Sequence, residues 1–284
     1  MITVNSLSGG KTSSYIAKEF PADFNIFALI TIRDKKCEFK DKKIRQLVSD
    51  KIGKEFIGTA EDDTIIYTML DLEQFIGKKI NWLAGDYFED IMIRKNGVYV
   101  PQSNMRYCTT DMKIEPIKKF WQEKIKEPCE MRIGFRANEM RRAKTMQEKT
   151  NKDGILEFKK IIGRTKTGNR NKWGDIAWQK PEFPLIKDII FKDKIEKYWK
   201  DKNVRFAYMN NCIGCFHRNE VLLKHMSNKH PNKFQWFIDQ EKDAGYGART
   251  FKNGINYEQI KNSLEQINLF DDDFNDCDTG YCGL

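Results

Sequence analysis

The chain has 284 residues, 40% of them hydrophobic and 12% aromatic, so we expect it to bury a sizeable core in one large domain or two small ones. Its 50 Lys and Arg exceed its 41 Asp and Glu, for a formal net charge of +9. It lacks a run of eighteen apolar residues, and its N-terminus lacks the basic and apolar regions of a signal peptide. These features argue against a membrane or secreted protein and predict a cytoplasmic one without a membrane partner.

The N-terminal half alternates short β-branched runs with longer amphipathic segments, a pattern typical of parallel strands joined by crossover helices. Strands are predicted at Ile2–Leu7, Asn25–Thr31, Glu55–Ile57, Lys79–Leu83 and Met131–Phe135. Helices are predicted at Lys11–Phe20, Lys40–Lys51, Thr64–Ile76, Tyr87–Arg94, Thr110–Lys126, Asp188–Lys200, Asn219–Asn228 and Pro231–Ala244. The prediction is therefore an α/β fold over residues 1–186, with a parallel sheet flanked by helices, followed by a helical C-terminal region over residues 187–284.

Charge is unevenly distributed along the chain. Segment 141–172 contains eleven Lys and Arg residues and three acidic ones, whereas segment 265–278 contains six acidic residues and no basic ones. Gly163, Gly168 and Gly174 indicate that the basic segment is a surface excursion and not a packed element. It is either a solvated loop or a surface for a phosphate-rich partner, such as a nucleotide tail or a nucleic acid.

The strongest local motif is the glycine- and serine-rich segment Ser8–Ser14, which follows an apolar strand and opens a helix. Two glycines allow an oxyanion to approach the backbone, the helix N-terminus supplies unpaired N–H groups, and the serines add hydroxyl donors. A Walker A loop would require glycine at position 5, which is Asn5. The motif therefore predicts a phosphate site of another class than the P-loop NTPases, the alternative being a serine-capped turn with no ligand.

Three later segments accompany this loop, and Pro184-Leu185 follows them. The segments are Arg106-Tyr107-Cys108-Thr109 with Lys113-Ile114-Glu115-Pro116, Ile133-Gly134-Phe135-Arg136-Ala137-Asn138-Glu139 with Arg141-Arg142, and Cys212-Ile213-Gly214-Cys215. In this order they resemble the phosphoadenylylsulfate (PAPS) reductase-like branch of the PP-loop ATP pyrophosphatases. The resemblance spans roughly residues 4–220 and implies a HUP, or Rossmann-like, fold that binds ATP or a related adenine nucleotide.

The resemblance also implies chemistry at the α-phosphate or at a sulfuryl group. Nucleotide binding is assigned to Ser8, Gly9, Gly10, Lys11, Thr12, Ser13, Ser14, Arg106 and Lys113. Because displaced pyrophosphate carries developing negative charge, cations that stabilise it are expected, and Lys11, Arg136 and Arg142 are the predicted catalytic residues. Thr12 replaces the Asp of the family loop, which removes a carboxylate that could contact Mg²⁺ and puts metal-assisted turnover in doubt.

The cysteines offer a second kind of chemistry. Cys212 and Cys215 form a C-x-x-C motif, which alone is ambiguous between a redox pair, a zinc site and an iron–sulfur site. The resemblance implies a [4Fe-4S] cluster on Cys108, Cys212 and Cys215. The family has an adjacent Cys pair where Cys108 stands alone, so the fourth ligand is expected from the tail segment Cys277–Cys282, with Cys282 as the assigned residue, or one iron is left open. Zinc with His217 as a ligand, and metal-free thiols, are the alternatives. Cys37 and Cys129 have no partner pattern and are predicted to be ordinary core or surface thiols.

The leading functional prediction is a PAPS-reductase-like enzyme acting on ATP or an adenylyl sulfonucleotide. The first alternative is a nucleic-acid sulfur-modification enzyme, for tRNA thiolation or DNA phosphorothioation, which adenylylates its target; the basic segment favours it. The second is a non-catalytic nucleotide-binding module with a structural metal. Predicted partners are the nucleotide and either a nucleic acid or a sulfur carrier, and the sequence leaves open whether the chain is a homodimer.

Overall fold

The computed structural model describes residues 1–94, 97–164, 170–245 and 249–264. Within them a six-stranded sheet with the order β3-β2-β1-β6-β8-β7 is flanked by helices, and all its neighbouring strands are parallel except the last pair. A two-stranded antiparallel ribbon, β4-β5, lies apart from it. The strands are β1 (Thr3–Leu7), β2 (Phe24–Leu29), β3 (Ile80–Ala84), β4 (Ile93–Arg94), β5 (Gly97–Val98), β6 (Cys129–Arg132), β7 (Leu156–Arg164) and β8 (Asn171–Glu182). The predicted α/β class with a largely parallel sheet is confirmed.

Twelve α-helical segments lie in the described part of the chain, and short 3-10 and π segments join some of them. They are α1 (Lys11–Glu19), α2 (Lys42–Ile52), α3 (Thr64–Ile76), α4 (Phe88–Met92), α5 (Tyr107–Thr109), α6 (Glu115–Phe120), α7 (Met140–Gln147), α8 (Pro184–Lys187), α9 (Lys192–Trp199), α10 (Glu220–Lys229), α11 (Pro231–Lys242) and α12 (Tyr257–Asn262). The π segments Thr110–Ile114 and Trp121–Ile125 make residues 107–125 one helical stretch.

The sheet is buried on both faces, as the alternation of side chains in β2 shows. Phe27 and Leu29 pack in one core with α1, α2, α3 and α9, whereas Ile26 and Ala28 point to the opposite face and pack in a second core with α6, α7 and the base of β7-β8. A third core combines residues of α10, α11 and α12 with Ile30, Phe88 and other residues from the first half of the chain. The helical C-terminal region therefore shares its core with the α/β region.

Two predicted elements are wrong. Residues Glu55–Ile57 form no strand, and the chain there makes only isolated bridges at Gly58. The described part of the basic segment is not a loop excursion but α7 followed by the antiparallel hairpin β7-β8, which forms one edge of the sheet. Gly168 and the acidic segment 265–278 lie outside the described residues.

The strand order places a topological switch at the middle of the sheet. From β1 the chain proceeds outward to β2 and β3, and later returns to place β6 on the other side of β1. In open α/β sheets, ligands bind in the crevice at the carboxyl ends of the two strands where this reversal occurs. The fold therefore favours a site where β1 and β6 end. No helix in the described part of the chain is both long and apolar enough to cross a membrane.

Candidate functional site

The loop after β1 forms a compact turn into α1. The Ser13 hydroxyl accepts a hydrogen bond from the Ser8 backbone N–H at 3.1 Å and donates one to the Gly10 carbonyl at 3.1 Å. Gly10, the N-cap of α1, has no side chain with which to cap this helix end, and the first turn contains no acidic residue. The positive end of the helix dipole is therefore available to an anion.

The two glycines of the loop are required by close packing. Gly9 has a φ of +80°, and a Cβ atom there would lie 2.5 Å from Ile65 Cγ2. A Cβ atom on Gly10 would lie 2.4 Å from the side-chain nitrogen of Asn210. The glycines thus allow α3 and the 210–211 turn to pack closely against the loop. They also leave the loop backbone accessible to an anion.

A cavity lies at the switch between the ends of β1 and β6. Seven of the predicted site residues line it, namely Ser8, Gly10, Thr12, Ser13, Lys113, Arg136 and Arg142. Four others do not: Gly9, Lys11, Ser14 and Arg106. The Lys11 ammonium instead pairs with Glu196 of α9, and Ser14 is fully buried. The cavity volume of about 90 Å³ suits a phosphate-sized anion, so a whole nucleotide would extend beyond it.

Glu139 holds the two arginines of the cavity. Its Oε2 accepts hydrogen bonds from the Arg136 backbone N–H at 2.9 Å and from Arg136 Nε at 3.1 Å, and its other oxygen pairs with Arg142. The Arg142 guanidinium also lies 4.1 Å from the centre of the Phe135 ring. This arrangement fixes both cations at the cavity wall, because each is held by the same carboxylate.

Lys113 brings a third positive charge to the cavity. Its ammonium donates to Glu61 Oε1 at 3.1 Å, and both side chains are almost completely buried. Since a buried charge needs a partner, Glu61 is what allows Lys113 to lie between the sheet and the C-terminal helices. Lys113 also lines the neighbouring cysteine pocket, so it lies on the wall between the two cavities.

Four residues that line this cavity or position its cations were not predicted from the sequence. Asn210 and Asn211 line the cavity from a turn in which Asn211 has a φ of +70°. Glu139 and Glu61 position the cations from segments distant in sequence from the loop. Two signals in the sequence were available: Glu139 belongs to a motif that carries the family resemblance, and the Asn210-Asn211 pair is typical of a turn. No sequence pattern points to Glu61.

Cys108, Cys212, Cys215 and His217 line one small, mainly apolar pocket beside the cavity. The C-x-x-C loop is tied to the α/β region by the Ile213 N–H, which donates to the Ala60 carbonyl at 2.8 Å. Gly214 is necessary between the two cysteines because a Cβ there would lie 2.5 Å from the Phe237 ring. The structure therefore brings the three predicted cysteines together, while Cys282 lies outside the described residues.

Two buried side chains, neither of them predicted from the sequence, organise the C-x-x-C loop. Arg218 is almost fully buried; its guanidinium donates to the carbonyls of Asn210 and Cys212. The Tyr257 hydroxyl donates to the Gly214 carbonyl at 2.9 Å. Because Arg218 contacts both the 210–211 turn and the cysteine loop, it links the phosphate cavity to the cysteine pocket.

The cysteine pocket suits a soft metal in its chemistry but not in its present geometry. Burial, with Arg106 and Lys252 nearby, lowers the pKa of His217 to about 4, so the imidazole is neutral at pH 7. Yet no group of three or more His, Cys, Asp or Glu side chains among the described residues is arranged to hold a metal ion.

Cys37 and Cys129 have the ordinary structural role predicted for them. Both are fully buried, and burial raises the pKa of Cys37 to about 12 and that of Cys129 to about 11. Both thiols are consequently protonated at neutral pH and inert as nucleophiles.

No protein-family model matches the chain, and neither a curated protein nor a solved structure matches it significantly. The resemblance to the PP-loop group therefore rests on the motifs alone. The geometry offers a helix N-terminus with a glycine N-cap, a serine-glycine turn and three fixed cations around one cavity. Such a site can hold a polyphosphate and stabilise negative charge on it.

Proposed function

We propose that the protein is a PAPS-reductase-like PP-loop enzyme with a HUP-type fold, which binds ATP or an adenylyl sulfonucleotide and acts at the α-phosphate or sulfuryl group. The observation that carries the proposal is the cavity at the β1-β6 switch, where the Ser8–Ser14 loop faces Lys113, Arg136 and Arg142. A phosphate chain on the α1 N-terminus would lie opposite these cations.

With ATP as substrate, the oxygen of an acceptor hydroxyl forms a bond to the α-phosphorus and loses its proton to solvent, while the bond from that phosphorus to the bridging oxygen breaks. Pyrophosphate leaves with the electron pair. Arg136 and Arg142 would stabilise the charge that develops on it, and because Glu139 already holds both side chains, little reorganisation is needed. Mg²⁺, when bound with the nucleotide, would neutralise charge on the phosphate oxygens.

Adenylylation of a nucleic acid before sulfur insertion is a second candidate function. The observation that favours it is a basic groove that adjoins the cavity and shares Phe135 and Arg142 with it. The acceptor would then reach the α-phosphate from that side.

Product analysis with α- and γ-labelled ATP tests the proposal. We expect pyrophosphate as the direct product, and Ser13→Ala is expected to lower turnover at least tenfold, since it removes the hydroxyl that ties Ser8 to Gly10. Ser227→Ala is the matched control, because Ser227 is a similarly buried helical serine whose hydroxyl donates to the Lys224 carbonyl in α10. Orthophosphate as the direct product, or equal turnover in the two variants, would refute the proposal.

A further inference from the structure

The hairpin β7-β8 presents large apolar side chains to solvent at the edge of the sheet. Ile161, Ile162 and Trp173 have 46%, 52% and 58% of their surface exposed. Ile161 and Trp173 lie directly opposite each other in the strand register, so they share one face of the hairpin. An exposed indole beside an isoleucine offers a flat apolar platform.

The same hairpin carries positive charge. Lys160, Arg164, Arg170 and Lys172 are exposed, and no ion pair joins them to a carboxylate in the described part of the chain. Lys159 Nζ lies 4.0 Å from Asp175 Oδ1, which is long for an ion pair. Because both side chains are also largely exposed, this contact neutralises little charge. The hairpin thus combines apolar area with four cations that form no ion pair within the described residues.

A groove connects the base of this hairpin to the phosphate cavity. Its volume is about 680 Å³, and its charged lining comprises five basic residues and one acidic residue, namely Arg106, Lys118, Arg141, Arg142, Lys149 and Glu157. Phe135 and Arg142 belong to both the groove and the cavity. The base of the hairpin therefore forms one wall of a basic groove that adjoins the site where phosphate is proposed to bind.

We propose that the hairpin and this groove bind an unpaired polynucleotide strand, with its phosphates on the basic side chains and a base stacked on Trp173. Charge complementarity selects a polyanion, and the exposed ring of Trp173 favours one with bases over an acidic peptide. Strand alternation places Trp173 on the hairpin face opposite to Lys160 and Lys172, so the polynucleotide would cross the free edge of β7 to contact both. Stacking on Trp173 requires a base that is not stacked within a duplex, which favours a single strand. The inference rests on the proposed function in one respect, since the strand would be the acceptor delivered to the α-phosphate.

Fluorescence anisotropy with a labelled oligonucleotide tests this proposal on the full chain. We expect single strands to bind more tightly than the duplex of the same sequence, and parallel DNA and RNA arms show whether the 2′-hydroxyl contributes. Trp173→Ala is expected to weaken binding about 5- to 100-fold through loss of stacking. Trp173→Phe, which keeps an aromatic face, is expected to restore most of the loss.

Salt dependence separates the charge contribution from stacking. Lys160→Gln with Lys172→Gln is expected to reduce the slope of log K against log salt by roughly 1.4, since each phosphate contact on a single strand contributes about 0.7. Lys42→Gln with Lys43→Gln is the matched control: α2 packs on β3, at the opposite edge of the sheet, and both lysines are exposed.

The proposal is overturned if the single strand does not bind, if the duplex binds more tightly, or if hairpin and control variants bind alike. Displacement of the strand by equimolar polyglutamate would also overturn it, because a surface for any polyanion is not a nucleic-acid site. ATP titrations on the same variants keep the two proposals separate. Normal ATP affinity with lost strand binding supports the hairpin assignment, whereas strand binding without any ATP binding overturns the proposed function alone.

Discussion

At the scale of single residues, the phosphate cavity depends on how closely Gly10 approaches Asn210. We expect Gly10→Ala to weaken ATP binding at least tenfold and to destabilise the fold, because the new Cβ would lie 2.4 Å from the Asn210 side-chain nitrogen. Calorimetric titration with ATP and thermal unfolding measure the two effects.

The double variant Gly10→Ala with Asn210→Ala distinguishes a packing effect from a direct effect on the anion. Since Asn210→Ala removes the clashing atoms, the double variant is expected to recover thermal stability relative to Gly10→Ala. Undiminished ATP affinity in Gly10→Ala itself would mean that the nucleotide does not bind at this loop.

Thr12 is the position where this loop departs from the family it resembles. Among the described cavity-lining residues, the only carboxylate is Glu139, which is engaged by Arg136 and Arg142. Thr12→Asp is therefore expected to raise Mg²⁺-dependent turnover while changing ATP affinity only a few-fold, because the backbone of the loop is unaltered. Thr12→Asn is the control, because Asn has the size of Asp but no charge. Equal turnover in the two variants would show that a carboxylate at position 12 does not contribute to turnover.

Local motifs predicted the loop residues of this site. They did not predict the residues from distant segments that contact the loop. Ser8, Gly10 and Ser13 follow from the strand-loop-helix pattern, since an anion site of this kind is built from contiguous residues. Asn210 reaches the same cavity from about two hundred residues away, and Lys11 turns out to pair with Glu196. Such contacts depend on tertiary packing, which spacing along the chain does not encode.

At the scale of elements, boundaries were predictable where capping residues mark them. Helix α3 was predicted with its observed bounds, and it ends at Gly77 with a φ of +63°. The hairpin β7-β8 was missed because its glycines suggested a loop. Gly163 instead lies at an irregularity in the strand register, and Gly174 lies beneath Ile162, so both have roles within strands.

Glu241 secures the connection between α11 and α12. Its two oxygens accept hydrogen bonds from the backbone N–H groups of Phe251 at 2.9 Å and Tyr257 at 2.6 Å. Burial raises the pKa of Glu241 to about 7, although these two hydrogen bonds act in the opposite direction. A carboxyl whose folded pKa lies above its unfolded value destabilises the fold increasingly as pH rises from the unfolded pKa to the folded pKa, and the loss levels off above the folded pKa.

Wild-type stability is therefore expected to fall between pH 4.5 and pH 7 by about 2 kcal/mol relative to Glu241→Gln, which does not titrate. Denaturant unfolding of both proteins at several pH values measures this difference. Glu258→Gln is the control, since Glu258 lies at the exposed surface in an ion pair with Lys242. A constant difference between wild type and Glu241→Gln across this range would show that Glu241 keeps an ordinary pKa.

At the scale of the whole molecule, the alternation of strands and helices predicted the fold class. It did not predict that the C-terminal helices would pack against the α/β region. A C-terminal helical region was expected, and the structure shows it sharing a core with Ile30, Phe88 and Met112 of the α/β region. This shared core places the C-x-x-C loop beside Cys108 and Lys113. Residues that are about a hundred positions apart thus line one pocket next to the phosphate cavity.

If Cys108, Cys212 and Cys215 bind one common metal, each is expected to be necessary for it. Cys→Ala at any of the three should remove the same metal, because the remaining thiolates provide too few ligands, whereas Cys37→Ala and Cys129→Ala should retain it, since both thiols are buried elsewhere. Elemental analysis and visible absorbance of anaerobically purified protein, normalised to folded protein, distinguish iron from zinc. Equal metal content in all five variants would refute a shared centre, and loss in Cys282→Ala would identify the fourth ligand.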